Sequence, residues 1–130
     1  MKKIDVVAAV IKIDDRYFIA QRNDKKHLGG QWEFPGGKID EGETTEKALK
    51  REMMEEFATV IEAGRLIGDV IHIYPERTIH LFFYSATVTE GNLTPLEHQD
   101  IKWADMKTLL EGGLLAEGDC TFVKEFLAKT

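Results

Sequence analysis

The chain has little of several things that decide a protein's class, and each shortage excludes something. Cys120 is its one cysteine, so an internal disulfide is ruled out and a reducing cytosol is the expected compartment. Long apolar runs are missing: the longest, Val6 to Ile11, falls far short of the roughly 20 residues that a bilayer-spanning helix needs. The opening Met1-Lys2-Lys3-Ile4-Asp5 lacks the apolar core and small-residue cleavage site of a leader, so no signal peptide is expected. A basic excess is absent as well, with 17 Lys and Arg against 23 Asp and Glu for a net charge of −6. That balance argues against binding a nucleic-acid polymer. A phosphate-bearing small molecule is still admissible, provided something else supplies positive charge.

What remains is ordinary for a folded protein: 130 residues, 43% apolar and 31% charged, which excludes a disordered chain. No linker, repeat or low-complexity stretch interrupts it, so one domain over residues 1–130 is expected. Residues 4–13 and 16–21 read as strands joined by a turn at Asp14-Asp15. Residues 22–38, with Gly29-Gly30, Pro35 and Gly36-Gly37, read as an irregular loop. A helix fits 44–57, where Leu49, Met53 and Phe57 make an i, i+4, i+8 stripe. Strands near 66–74 and 78–88 flank a turn at Pro75-Glu76-Arg77. Asp105 is placed to cap a short helix ending before Gly112-Gly113, and Asp119 to cap a final one with Phe122, Val123, Phe126 and Leu127 on its inner face. The sum is an α+β fold, a mixed central sheet sandwiched between helices.

The informative stretch is GGKIDEGETTEKALKREMMEEF, residues 36–57. On a helix Glu52, Glu55 and Glu56 fall within an arc of roughly 100°. Such carboxylates repel one another, and near a helix C-terminus the macrodipole disfavours them further. A bound hard cation is the simplest compensation, and oxygen ligands suit Mg²⁺ or Mn²⁺. Ala48 sits on that face one turn earlier, where its small side chain lets the loop backbone approach. Arg51, one turn before Glu55, is placed to orient it. A solvated charged helix is the plainer alternative, although the one-sided placement of the acids speaks against it.

This segment resembles the Nudix box, G-x5-E-x7-R-E-U-x-E-E-x-G-U with U apolar. Gly37, Glu43, Arg51, Glu52, Met53, Glu55 and Glu56 fill it at the right spacing. Ala58 stands in place of the last glycine and Thr59 in place of the final apolar residue. The glycine serves a left-handed helix end, where alanine costs on the order of 1 kcal/mol. The likeness runs over nearly the whole chain toward MutT-type nucleoside triphosphate pyrophosphohydrolases, and WEFPGGK at Trp32–Lys38 is typical of that group.

The resemblance implies the Nudix fold, an α/β/α sandwich, and a Mg²⁺-dependent attack of water that releases a nucleoside monophosphate and pyrophosphate. It implies Glu52, Glu55 and Glu56 as metal ligands and catalytic groups, the Gly36 carbonyl beside them, and Glu43 in support. Glu97 matches a later acidic position that binds metal or helps to activate water. Lys38 and Arg22 are the expected phosphate contacts, Arg22 through its bidentate fork. Tyr74-Pro75-Glu76-Arg77 resembles the turn that borders the nucleoside, with Tyr74 to stack on a base and Arg77 to contact the nucleotide. Asp119 stands near a position that hydrogen-bonds the base edge; as an ionised acceptor it would favour amino or imino donors, as on cytosine or the N1/N2 edge of a guanine. His27, His72, His80 and His98 read as structural or surface histidines.

The implied substrate is a small nucleotide, an oxidised purine such as 8-oxo-dGTP or a CTP/dCTP type, hydrolysed in the cytoplasm by a monomer or homodimer. No membrane partner is implied. Two other readings stay open: a Nudix hydrolase for ADP-ribose or a dinucleoside polyphosphate, and a nucleotide sensor that keeps the fold without catalysis.

Overall fold

The computed structural model describes residues 2–25 and 29–130; His27 lies outside the described residues. Strand β1 (Lys2–Ile13) carries the longest apolar run, and its alternating side chains feed both faces of the sheet. Ala8 and Val10 pack with Phe83 and Phe122 on one side, whereas Val7, Ala9 and Ile11 pack with Phe18 and Phe57 on the other. A strand buried on both faces needs such a run rather than polar alternation.

β1 runs parallel to β6 (Arg77–Glu90) with Lys2 opposite Arg77 and Ile11 opposite Ala86. Its other edge is shared. The first half pairs with β4 (Gly36–Lys38) and the second with β2 (Arg16–Gln21). β2 also pairs with the short β3 (Trp32–Glu33) and with β7 (Asp100–Ala104), and β5 (Val60–Ile73) closes the far edge against β6. The expected mixed sheet is therefore present, with α1 (Thr45–Phe57) on one face and α3 (Glu117–Glu125) on the other. Between β7 and α3 lies the short α2 (Met106–Leu109). Among the described residues no helix is long and apolar enough to cross a membrane.

Helix α1 begins and ends as its sequence dictates. Thr44 accepts from the Lys47 N–H at 3.2 Å, and Ala48, Leu49, Met53 and Phe57 are buried. Its end is left-handed: Ala58 has φ 51° and ψ 41°. Thr59, standing where an apolar residue was expected, is fully buried and uses its hydroxyl twice, donating to the Phe57 carbonyl and accepting from the Leu93 N–H at 2.8 Å. Thr59 thus serves a local backbone need, whereas Ala58 takes the left-handed conformation in spite of its Cβ.

Three expectations change. The 22–38 segment is not wholly irregular, since β3 and β4 lie within it. β5 starts at Val60 rather than near 66, and register shifts between Ala63 and Gly68 obscure its alternation. Asp119 does not cap α3: the helix starts two residues earlier, with Ala116 at the cap position and no side-chain cap bond. Asp105 does cap its helix, accepting from the Thr108 N–H at 2.9 Å. Ala58→Gly should raise stability by about 1 kcal/mol, because glycine enters the left-handed region without a Cβ penalty. Urea unfolding measures this, and an unchanged or lower midpoint would show that the alanine carries no strain.

Candidate active site

Arg51 is the hub from which the acidic face is built. Its Nε and Nη2 hold the two Glu43 oxygens at 2.8 and 2.9 Å, and Nη1 reaches Glu52 at 2.9 Å and Glu55 at 3.3 Å. Nη2 also donates to the Lys38 carbonyl at 2.9 Å, which ties the helix to β4. The Arg51 hydrogen bond, ahead of that from the Asp40 N–H, lowers Glu43 to about 2. The same bond raises Arg51 above its already high value. The expected Arg51–Glu55 pairing is therefore the longest of the hub's hydrogen bonds, and Asp40 adds an ion pair at 3.4 Å.

Beside this hub lies an acidic cleft of about 340 Å³, walled by Arg22, Glu33, Gly36–Lys38, Glu52, Glu56, Glu97 and His98 among others. Glycine at 37 lets the Glu52 carboxyl lie where it does, since a Cβ would stand 2.4 Å from its carboxyl carbon and push it aside. Glu56 is held well above the usual carboxylate range, first by burial, then by a hydrogen bond with Glu52 and the charges of Glu52, Glu33 and Glu97. Two carboxyls that share a hydrogen bond must hold a proton between them. Among the described residues no group of three acidic, His or Cys side chains already forms a metal cage. Instead Arg51 donates to Glu52 at 2.9 Å, and Glu52 shares a hydrogen bond with Glu56. The donors are nonetheless all oxygens, crowded and over-negative, which is the chemistry a hard divalent cation satisfies.

An apolar cavity of about 260 Å³ adjoins the cleft and shares Arg22, Glu33 and the Gly36–Lys38 strand with it. Val6, Ala8, Ile79 and Leu81 line it, with Tyr74, Arg77, His72 and Asp119 among its polar members. Tyr74 and Arg77 close their turn by exchanging backbone hydrogen bonds of 2.8 and 3.3 Å. That brings the guanidinium 6.0 Å from the Tyr74 ring centroid. Glycine at 118 leaves room, since a Cβ there would meet Leu81 at 2.4 Å. Asp119 is buried, and its Oδ2 accepts from the Phe34 N–H at 2.8 Å. Burial, then the charge of Glu33, raises it to about 8, so at neutral pH it is mainly a neutral acid. This differs from the expected ionised acceptor: desolvation and the Glu33 charge outweigh the Phe34 and Asp119 backbone donors and the Arg22 charge.

A NUDIX domain family matches residues 6–116. The chain belongs to the Nudix family. The 8-oxo-dGTP diphosphatase of Proteus vulgaris is 44% identical over 94 residues, covering 72% of this chain and 84% of that protein. The CTP pyrophosphohydrolase of Escherichia coli K12 is 34% identical over 128 residues, covering 98% and 94%. In structure, the MutT Nudix hydrolase of Burkholderia pseudomallei superposes with a TM-score of 0.85 at 25% identity, covering 96% and 98%. The protein is accordingly a MutT-like Nudix hydrolase.

In this Nudix fold the expected site residues divide by position. Glu52, Glu56, Glu97, Gly36, Lys38 and Arg22 meet at the acidic cleft, and Tyr74, Arg77 and Asp119 at the apolar cavity. Glu43 lies behind Arg51, whereas Glu55 is 55% exposed and does not line the cleft. Two residues with no assigned part in the sequence reading stand in the site. Glu33 lines both cavities, and the His98 side chain, only 6% exposed, lies between Glu33 and Glu56. The signals were present, Glu33 within WEFPGGK and His98 beside Glu97, but neither shows its direction in a linear sequence.

The raised Asp119 has a consequence for stability. The native state keeps a proton that the unfolded chain, with its ordinary value near 3.8, has released. The contribution is complete below that unfolded value, declines as pH rises, and is gone above about 8. Asp119→Asn keeps the shape and removes the titration. Its unfolding free energy should therefore fall less steeply than wild type between about pH 5 and 8. Parallel profiles in chemical denaturation would refute the buried neutral acid.

Proposed function

We propose that this Nudix hydrolase cleaves a nucleoside triphosphate to the monophosphate and pyrophosphate with Mg²⁺ or Mn²⁺. The supporting observation is the pair of adjoining cavities with one common wall. An acidic cleft suits metal-bound phosphates, and an apolar cavity with one deep hydrogen-bonding group suits a base. Glu52, Glu56, Glu97 and the Gly36 carbonyl would hold the cation, which supplies a low-pKa water and neutralises charge on the phosphoryl oxygens. Glu55 needs to turn from Arg51 to join them. Glu43 and Arg51 hold the helix face against β4, so the acids keep their places as a polyanion enters. Lys38 and Arg22, set where the two cavities meet, bind the phosphates; Arg22 does so while paired with Glu33 at 3.1 Å.

The base enters the apolar cavity, where Tyr74 stacks on it and Arg77 contacts the nucleotide. Asp119, one oxygen tied to Phe34, offers the other to the base edge. As a neutral acid that oxygen can donate to a carbonyl, which suits the oxidised guanine of 8-oxo-dGTP. Once ionised it accepts from an amino group such as cytosine N4. The names of the Proteus and E. coli relatives cover these same two substrate classes, and hydrolysis in the cytosolic nucleotide pool fits a chain with a single cysteine.

Pyrophosphate release from a panel of canonical and oxidised triphosphates with Mg²⁺ tests the reading. Turnover of one class with release of pyrophosphate is expected, and turnover of ADP-ribose alone would overturn it. Glu56→Gln and Glu55→Gln should each lower kcat by about a hundredfold or more while the fold survives. Near-normal turnover in either variant would remove that residue from the reaction. Asp119→Ala should raise KM for the preferred base more than for the others; an equal rise for every base would deny it a part in selection.

A further inference from the structure

Glu33 stands in the wall that the two cavities share, and both its oxygens are engaged. Arg22 Nη1 donates to Oε1 at 3.1 Å, and His98 Nε2 lies 2.9 Å from Oε2. His98 is pinned in turn. Its ring stacks on Phe57 with centroids 5.1 Å apart and planes 19° apart, and Phe57 is itself fully buried. The loop that carries His98 is anchored on the end of α1, because the Leu96 N–H donates to the Glu56 carbonyl and the Thr94 N–H to that of Phe57, both at 3.0 Å. The imidazole therefore has a defined place and orientation.

Its other nitrogen does not have a partner. Nδ1 is buried without a hydrogen bond, and Glu56 Oε1 lies 3.7 Å from it. A buried imidazole nitrogen without a partner is costly. A shift of roughly half an ångström by the Glu56 carboxyl brings the pair within hydrogen-bond range. In the present arrangement that carboxyl leans instead on Glu52. Glu56 thus has two stops, the carboxyl of Glu52 on one side and the fixed imidazole on the other.

We propose that His98 is a positioning residue for the Nudix reaction, an arm that runs from Glu33 in the base-side wall to Glu56 in the acidic cleft and fixes where Glu56 can stand. The proposal rests on the hydrolase reading above and adds a residue to it. His98 touches neither base nor phosphate in this role; it acts through Glu56 on one side and Glu33 on the other. A purely structural histidine would need only the Phe57 stack, and no nitrogen aimed at the acidic cleft.

Two substitutions separate the two ends. In His98→Gln the amide reaches the place of Nε2, keeping Glu33's partner and leaving Glu56 without its stop. In His98→Asn the shorter amide lies on the Nδ1 side and leaves Glu33 without its partner. His98→Gln should lower kcat by about 10- to 100-fold, the usual effect of losing a group that orients a ligand-bearing side chain, with KM within about threefold of wild type. His98→Asn should instead raise KM more than it lowers kcat. Equal losses in both variants that track a fall in melting temperature would overturn the proposal, as would a His98→Gln kcat within about twofold of wild type. Wild-type turnover separates this outcome from failure of the underlying reading. With normal wild-type turnover only the role of His98 falls, whereas a wild-type chain inert toward every triphosphate overturns both.

Discussion

The Arg51 guanidinium is the interaction on which the rest of the site depends. A helix that ends in Glu52, Glu55 and Glu56 works against itself through like-charge repulsion and an unfavourable macrodipole. The planar fork of one arginine answers three carboxylates and the Lys38 carbonyl together. A lysine would meet one or two of these as a point charge. Arg51 is about a quarter exposed, with its side chain at 26%, so no single spoke is worth much against water and salt. The strength lies in geometry: five donors with fixed directions set the distance between α1 and β4, and that distance forms the cleft.

The cleft also depends on β1. Because this strand is packed on both faces, a one-residue slip would exchange its two side-chain sets between two differently shaped cores. Its Val6–Ala8 segment therefore fixes β4, and the Val7 carbonyl approaches so closely that a Cβ on Gly36 would stand 1.9 Å from it. On β4's other side, Gly37 admits the Glu52 carboxyl. Two successive glycines thus let one strand lie against a neighbouring backbone and a side chain of the acidic helix face at once. The same short strand is the partition between the acidic cleft and the apolar cavity.

Much of this was legible in the sequence. β1, β2, β6 and the second half of β5, the α1 stripe, the acidic face and the left-handed end at Ala58 all follow from local rules of period, capping and backbone sterics. β3 and β4 were hidden because two or three residues carry no period, and glycines that signal a loop were there for close approach. β7 was hidden for a related reason: five residues whose order is set by pairing with β2. Asp119 was misread as a cap because a capping residue and a buried acceptor share a composition. Only the position of Phe34, 85 residues away in the chain, decides between them. His98 shows the same limit, since burial between Glu33 and Glu56 is a tertiary fact.

Glu33 connects these parts electrically as well as spatially. Its charge adds to burial in raising Asp119, and it adds again, after burial and Glu52, in raising Glu56. One carboxylate thus bears on the buried acid of the apolar cavity and on the buried acid of the acidic cleft. Arg22 moderates it, pairing at 3.1 Å and pulling Asp119 back down. The net charge of −6 is for this reason not a uniform coat. Between Asp40 and Glu56 alone, Asp40, Glu41, Glu43, Glu46, Glu52, Glu55 and Glu56 stand against Lys47, Lys50 and Arg51, a local balance of −4. Such a concentration repels a triphosphate by itself, which is why the proposed function requires a cation with it. The acidity that argues against a nucleic-acid polymer is thereby what the proposed function turns to use, as the place for the cation that a nucleotide would bring.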